Sequence, residues 1–220
     1  MKFDLTKVDK DWTLFYGILA GDGCISVYGR HKTISITCNI HDDKPFFDNI
    51  VIPLVNKIRQ KSTKYRERPI HGKIEINFSD IKLFEDLKFL GFPIGKKGTK
   101  IRIPDSIPKN LWKNFVAGLF ATDGCLAIVN NNNTLYPRIE IRSISFPMLD
   151  QTRNLLKEYG MKGNVYSINK GCSFRLEFPG KNNMILFRDK IGFINPKHEE
   201  KFNRFMDPTR IELATPRLSV

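Results

Sequence analysis

No stretch of the 220 residues stays apolar long enough to span a bilayer, and the opening Met-Lys-Phe-Asp-Leu-Thr lacks the marks of a secretory signal. The chain is therefore expected to be soluble and not secreted. It would work in the cytoplasm, associated with the nucleoid, or in an organelle matrix if organelle-encoded. Cysteine is scarce: Cys24, Cys38, Cys125 and Cys172 form no C-x-x-C pair and no Cys/His zinc spacing. They read as reduced packing residues, and Cys24 and Cys125, each directly after Asp-Gly, as one small buried strand position used twice. His31, His41, His71 and His198 show no metal spacing either, and none is assigned a role. Acidic residues are also in deficit, with 23 Asp and Glu against 36 Lys and Arg and a net charge of +13. Residues 1–106 hold 19 basic and 13 acidic side chains, residues 107–220 hold 17 and 10. Both halves are basic, so no tail explains the excess. A polyanion touched by both halves is the natural partner, because neutralising phosphates releases condensed counterions.

What is present is a globular composition, 41% apolar, with ample core for one large domain or two small ones. Within it, Leu14-Phe15-Tyr16-Gly17-Ile18-Leu19-Ala20-Gly21-Asp22-Gly23 and Phe115-Val116-Ala117-Gly118-Leu119-Phe120-Ala121-Thr122-Asp123-Gly124 each place a Gly inside an apolar run that stops at Asp-Gly. Asp22 and Asp123 are 101 residues apart. Phe78 and Phe178 are 100 apart, Leu90-Gly91-Phe92 and Ile191-Gly192-Phe193 are 101 apart, and Lys97 and Lys197 are 100 apart. Four markers in one register indicate a tandem duplication.

Each half reads in the same order. An apolar helix comes first, at 12–21 with Asp11 as N-cap and at 108–121 with Pro108 at its start. Alternating strands follow at 24–29 and 33–41, then at 125–130 and 137–145. Ile34, Ile36, Cys38 and Ile40 face one way and Thr33, Ser35, Thr37 and Asn39 the other; Ile139 and Ile141 oppose Arg138, Glu140 and Arg142. Helices at 44–60 and 147–159, strand pairs at 64–69 with 73–78 and 164–169 with 173–178, and closing helices at 80–90 and 181–191 complete the two copies. The expected fold class is α+β, an αββαββα order twice. Residues 1–107 make the first half with its linker at Gly98–Pro108, residues 108–206 the second, and residues 207–220 a poorly ordered tail. Asn130–Asn133 reads as a polar turn.

The polar strand faces suit a groove of nucleic acid, with side chains reaching base edges while the Ile face packs on helices. Ser26, Tyr28, Arg30, Lys32, Ser35, Thr37, Lys64, Arg66 and Arg68 are the DNA-binding candidates of the first half. Asn130, Arg138, Glu140, Arg142, Tyr166, Asn169 and Arg175 are those of the second.

An Asp at a helix C-terminus opposes the dipole by a few tenths to about 1 kcal/mol, and Gly inside a helix costs roughly 0.5–1 kcal/mol more. Both costs occur in both copies. Gly17 with Gly21, and Gly118 with Ala121, would leave flat faces, so the two helices can pack nearly backbone to backbone and bring Asp22 beside Asp123. Paired carboxylates repel and attract a hard divalent cation such as Mg²⁺. Metals held between carboxylates and phosphate activate water for phosphodiester cleavage.

Both segments resemble the signature of the LAGLIDADG homing endonucleases in their two-motif, single-chain form, and the resemblance covers about residues 12–206. It implies two pseudo-symmetric halves, each with a curved antiparallel sheet, joined through the motif helices, the sheets straddling double-stranded DNA. It implies a monomeric, Mg²⁺-dependent enzyme, with Mn²⁺ as substitute, that breaks both strands of a long, imperfectly symmetric site in intron or intein homing. Asp22 and Asp123 would be the catalytic, metal-binding acids, with Gly21 and Thr122, in place of the usual Ala, beside them in the metal-binding group. Lys97 and Lys197 fall where the family places basic residues around the scissile phosphates, with Lys96 the neighbouring alternative. Where some members carry Gln at the end of the second strand, this chain has an acid near Asp42 and a hydroxyl near Ser145. The competing readings are an intron-RNA maturase, which would bind host intron RNA and tolerate loss of the acids, and a catalytically silent DNA-binding protein. Both acids are present, which favours the nuclease; an appended helix-turn-helix finds no room. No Cys or Ser start and no His-Asn end frames an intein.

Overall fold

The computed structural model describes residue 5, residues 8–131 and residues 134–207, with Asn131 described in its backbone alone. The expected tail beyond Asp207 and the turn residues Asn132 and Asn133 lie outside the described residues.

The first half runs α1 (Lys10–Asp22), β1 (Gly23–Tyr28), β2 (His31–Asn39), α2 (Ile40–Phe46), α3 (Ile52–Arg59), β3 (Arg66–Arg68), β4 (Lys73–Phe78) and α4 (Ile81–Phe89). A π-helical stretch, Phe47–Val51, joins α2 to α3. The second half repeats the order as α5 (Trp112–Asp123), β5 (Gly124–Asn131), β6 (Thr134–Ser143), α6 (Phe146–Glu158), β7 (Asn164–Ile168), β8 (Ser173–Pro179) and α7 (Lys181–Lys190). It adds α8 (Pro196–Met206), which the strand and helix patterns did not anticipate.

Each half builds one four-stranded antiparallel sheet, in the orders β1-β2-β4-β3 and β5-β6-β8-β7. The strand alternation is observed: Ile34, Ile36, Ile139 and Ile141 are buried, while Thr33, Ser35, Thr37, Arg138 and Arg142 lie on the opposite faces. Both motif-helix starts differ from the sequence reading, and the expected helix at 44–60 begins at Ile40 and is interrupted by the π-helical stretch. Asp9, not Asp11, caps α1, its carboxylate accepting from the Trp12 amide at 2.8 Å. Pro108 precedes a 3₁₀ turn, Lys109–Leu111, and α5 begins only at Trp112. Neither Pro108 nor Leu111 gives α5 a side-chain cap.

The linker is tied into the core rather than draped over it. Ile101 and Ile103 are buried. The Gln151 side chain accepts from the Ile103 amide and donates to its carbonyl, both at 2.9 Å. Ser145 Oγ donates to the Ile101 carbonyl at 2.5 Å while capping α6 through the Met148 amide. Ser145 is therefore a buried structural cap of α6. The cysteine expectation holds only in part: all four are free, but Cys38 is buried, Cys24 half-buried, and Cys125 and Cys172 exposed. Cys125 lies on the polar face of its sheet, opposite Glu140, which is why it stays in solvent.

Candidate functional site

Helices α1 and α5 meet through their glycines. A Cβ on Gly17 would stand 2.2 Å from the Phe115 carbonyl oxygen, and one on Gly118 would stand 2.4 Å from that of Leu14. Real Cβ contacts of that length do not occur, so only Gly admits this approach. One turn later a Cβ on Gly21 would strike Thr122 Oγ1 at 1.9 Å and lie 3.4 Å from Asp123 Cγ. The costs of Gly in a helix are thus set against a backbone-to-backbone crossing that places the two Asp-Gly ends side by side.

Asp22 and Asp123 are the last residues of their helices. Partial burial, followed by the charge of Asp22, pushes the Asp123 carboxyl up to about 6, with Lys97 opposing; Asp123 still reaches solvent. Asp22 is also raised, first by burial and then by Asp43, against a hydrogen bond from the Cys38 thiol and the charges of Lys97 and Lys197. Asp22 raises Asp123 and Asp43 raises Asp22, so this corner gathers negative charge that a cation would offset.

Lys97 and Lys197 take different places. After α4 the chain returns to β1, where the Gly95 amide donates to the Ile25 carbonyl at 2.7 Å. This return carries Lys97 over the end of α1. Its Nζ donates to the carbonyls of Leu19 at 3.0 Å, which also accepts from the Gly23 amide, of Ala20 at 2.8 Å and of Gly21 at the helix end. Burial lowers the Lys97 pKa, while Asp123 and Asp22 support its charge, Asp123 the more. Lys96 is exposed. In the second half the end of α5 is capped by Asn195, whose Nδ2 donates to the Ala121 carbonyl at 2.9 Å and to Asp43 Oδ1 at 2.8 Å. Lys197 Nζ reaches the same Asp43 oxygen at 2.6 Å. Lys97 of the first half thus attends the second acid, and Lys197 of the second half attends the first acid's neighbourhood.

Asp43, not Asp42, is the acid at the end of the second strand. Asp42 is exposed; Asp43 is buried. β2 ends at Asn39, which caps α2, so Asp43 is the fourth helical residue and turns inward as Leu149 does four residues after Ser145. Running the strand to residue 41 hid this. Asn195 was also missed, although a residue before Pro that accepts from the amide two residues on is a helix-start signal. His198, beneath the same corner, packs its ring 4.7 Å from that of Phe120 and is pushed down to about 4 by burial, so it is a neutral packing residue.

Two of the metal-group expectations are reshaped. The Gly21 carbonyl accepts from Lys97, and the Thr122 hydroxyl donates back to Gly118 at 3.2 Å and Leu119 at 3.0 Å within α5. No group of three or more His, Cys, Asp or Glu suited to a metal occurs among the described residues.

Ser26, Ser35, Thr37, Arg66 and Arg68 share the polar face of the first sheet, with Tyr28 at the hairpin end, Arg30 in the turn and Lys64 before β3. Arg138, Glu140, Arg142, Tyr166 and Arg175 share that of the second, and Asn169 sits in the β7–β8 turn. Two candidates are on the wrong side. Lys32 lies opposite Val27 on the helix-facing side, where it pairs with Glu85 of α4 and sits 5.7 Å from the Phe84 ring. Asn130 has the register parity of Leu126 and Ile128, not that of Arg138, and is exposed near the hairpin end. Both were placed from composition without the strand parity that β pleating imposes.

Residues 112–192 match the family model of the LAGLIDADG-like domain. The chain is 28% identical over 221 residues to the probable translation initiation factor IF-2 of Methanocaldococcus jannaschii, covering 94% of this chain and 17% of that protein. It is 29% identical over 178 residues to the ribonucleoside-diphosphate reductase NrdEB subunit alpha of Bacillus subtilis, covering 74% and 15%. It is 32% identical over 191 residues to the tRNA-splicing ligase RtcB of Pyrococcus abyssi, covering 81% and 20%. The chain spans a fifth or less of these curated relatives. Among solved structures, I-LtrWI bound to target DNA superposes with a TM-score of 0.62 at 12% identity, over 93% of this chain and 92% of that one. I-WcaI on its DNA recognition sequence gives 0.61 at 17%, over 89% and 87%. I-DmoI in complex with DNA and Mn gives 0.59 at 14%, over 84% and 98%. Residues 112–192 thus carry a LAGLIDADG-like domain, and the chain shares the fold of the LAGLIDADG homing endonucleases of known structure.

Proposed function

We propose that this chain is a divalent-metal-dependent, site-specific DNA endonuclease that breaks both strands of a long, imperfectly symmetric target. The observation that carries the reading is the glycine-mediated crossing of α1 and α5, which sets Asp22 beside Asp123 between two polar sheet faces. A hard cation fits this donor set: two carboxylates, both raised by burial and by a neighbouring acid, with water and DNA phosphate available to complete the shell, as Mg²⁺ prefers. Bound there, Mg²⁺, or Mn²⁺ in its place, would lower the pKa of water and stabilise the leaving oxygen. The solved proteins of this fold with DNA and Mn support the choice.

The chain's own residues divide the remaining work. Asp22 and Asp123 would hold the cation. Lys97 and Lys197 bring positive charge to the phosphates from opposite sides, while Asp43 and Asn195 fix Lys197 and the end of α5. The sheets supply the grip on DNA. Three relatives with unrelated names share one segment covering 15–20% of their length, which supports a module separable from its host's activity, as homing requires.

A plasmid carrying the uninterrupted host locus should be linearised with Mg²⁺ and spared with EDTA. Asp22→Asn or Asp123→Asn should reduce cutting roughly 100-fold or more while binding persists. Cutting retained in either variant rejects the two-acid site. Loss of the acids' importance with RNA binding intact would favour the maturase.

A further inference from the structure

The two sheets present different chemistry at matched positions. β1 and β5 pair with their neighbours from the residue after each acid, Gly23 with Ile36 and Gly124 with Ile141. Thr33, Ser35 and Thr37 therefore correspond to Arg138, Glu140 and Arg142. Across the next strand, Glu75 and Asn77 correspond to Arg175 and Glu177, because Thr37 pairs with Glu75 as Arg142 pairs with Arg175. These rows lie beside the strand starts and so nearest the two acids.

In the second sheet they form one ionic lattice. Glu140 lies 3.6 Å from Arg142 and 3.9 Å from Arg138; Glu177 lies 3.0 Å from Arg175 and 3.8 Å from Arg138. The carboxylates are 9% and 13% exposed, whereas Arg142 is 65% exposed and Arg138 and Arg175 are 29% exposed. Two sunken acids restrain three guanidiniums through ion pairs, with Arg175 Nε and Glu177 Oε2 both buried and outside any hydrogen bond. The guanidiniums are gathered on this face by paired charge before any ligand arrives.

A guanidinium held in place suits guanine, whose N7 and O6 accept two parallel hydrogen bonds in the major groove. Three matched first-sheet positions are the hydroxyls of Thr33, Ser35 and Thr37, which rotate, donate and accept and so accommodate either purine or pyrimidine edges. Glu75 accepts from Arg68 of the edge strand at 2.8 Å, one positioned arginine against three on the second sheet. Resting on the DNA-cleaving reading above, we infer that base discrimination is unequal. The second half demands G·C pairs in the part of its half-site nearest the centre, read by Arg138, Arg142 and Arg175. The first half is permissive there. Glu140 and Glu177 are positioning residues.

Selection of bound duplexes from a randomised pool, in Ca²⁺ to separate binding from cutting, tests this. One half-site should enrich guanines near the centre, each preferred roughly 5- to 150-fold over the wrong base. Arg142→Ala should erase one of these preferences and thereby mark that half as the second. Glu140→Gln, which keeps shape, should relax the same positions at least roughly fivefold without weakening overall retention, since it removes a negative charge from a DNA-facing surface. Thr37→Ala should leave the profile within about twofold. Equal constraint in both halves, a stricter first half, or an unchanged profile in Glu140→Gln overturns the inference and leaves the DNA reading standing. Retention that is salt-sensitive but sequence-blind also overturns the inference. No retention of any duplex overturns the DNA reading and the inference with it.

Discussion

The ends of α1 and α5 are copies of one sequence pattern, yet they are finished by different chemistry. Lys97 closes α1 with three charge-assisted bonds to carbonyls. Asn195 closes α5 with one neutral bond, and the lysine at the duplicated position turns away to Asp43. Duplication therefore set up equivalent helices while the segments behind them diverged. The second copy's segment starts α8 at Pro196, and a helix start holds Asn195 where the first copy lays an extended return along β1. What remained strictly shared is the glycine contact, because any side chain there would collide with backbone.

Variants can break or sharpen this comparison. The largest effect is expected at the shared contact. Gly118→Val should cost about 3 kcal/mol or more, read as a lowered chemical-denaturation midpoint, because the clash is with the Leu14 carbonyl and not with a movable side chain. Gly17→Val should cost as much; a small cost at either site would mean the helices can separate.

Next come the lysines. Lys197→Met should cost about 2 kcal/mol, below the range for a fully buried pair because Lys197 is 33% exposed. Asp43→Asn in the same chain should recover most of it. Lys97→Met should cost about 1–2 kcal/mol by removing the donor to the Ala20 and Gly21 carbonyls, and Asp43→Asn should not recover that cost. A double-mutant cycle separates the two lysines.

A smaller effect concerns Asp123. Its folded pKa, near 6, exceeds that of an unfolded Asp, so its contribution to stability is full at low pH and is lost as pH rises through 6. In EDTA, Asp123→Asn should match the parent near pH 4 and exceed it at pH 8 by at most about 1 kcal/mol, given the solvent that reaches this side chain. Thermal melts at the two pH values check the sign. The smallest effect is a contrast within the first sheet. Arg66→Ala should reduce the salt slope of DNA binding by about 1, and Lys32→Ala should leave it unchanged because Lys32 faces α4.

Much of the fold was readable because duplication repeats its own signals. The Gly-containing apolar runs, the alternation around Ile34–Cys38 and Ile139–Ile141, and the element order all rest on local periodicity, which a chain displays before it folds. Local errors arose where one residue of phase matters. Ending β2 two residues late moved attention from Asp43 to Asp42. Ignoring strand parity put Lys32 and Asn130 on the DNA side.

The candidate site was half legible for the same reason. Asp22 and Asp123 stand at marked helix ends, but Asp43 and Asn195 are 152 residues apart and meet only in three dimensions. From the sequence alone came the duplicated scaffold, the paired acids and the basic balance, since periodicity, glycine and charge are properties of the chain itself. Tertiary structure alone decided which lysine caps α1, which acid is buried with Lys197 and which arginines are held by glutamates. Those depend on distances between segments that share no local signal, and a few ångströms settle whether a charge meets a carbonyl, a carboxylate or water.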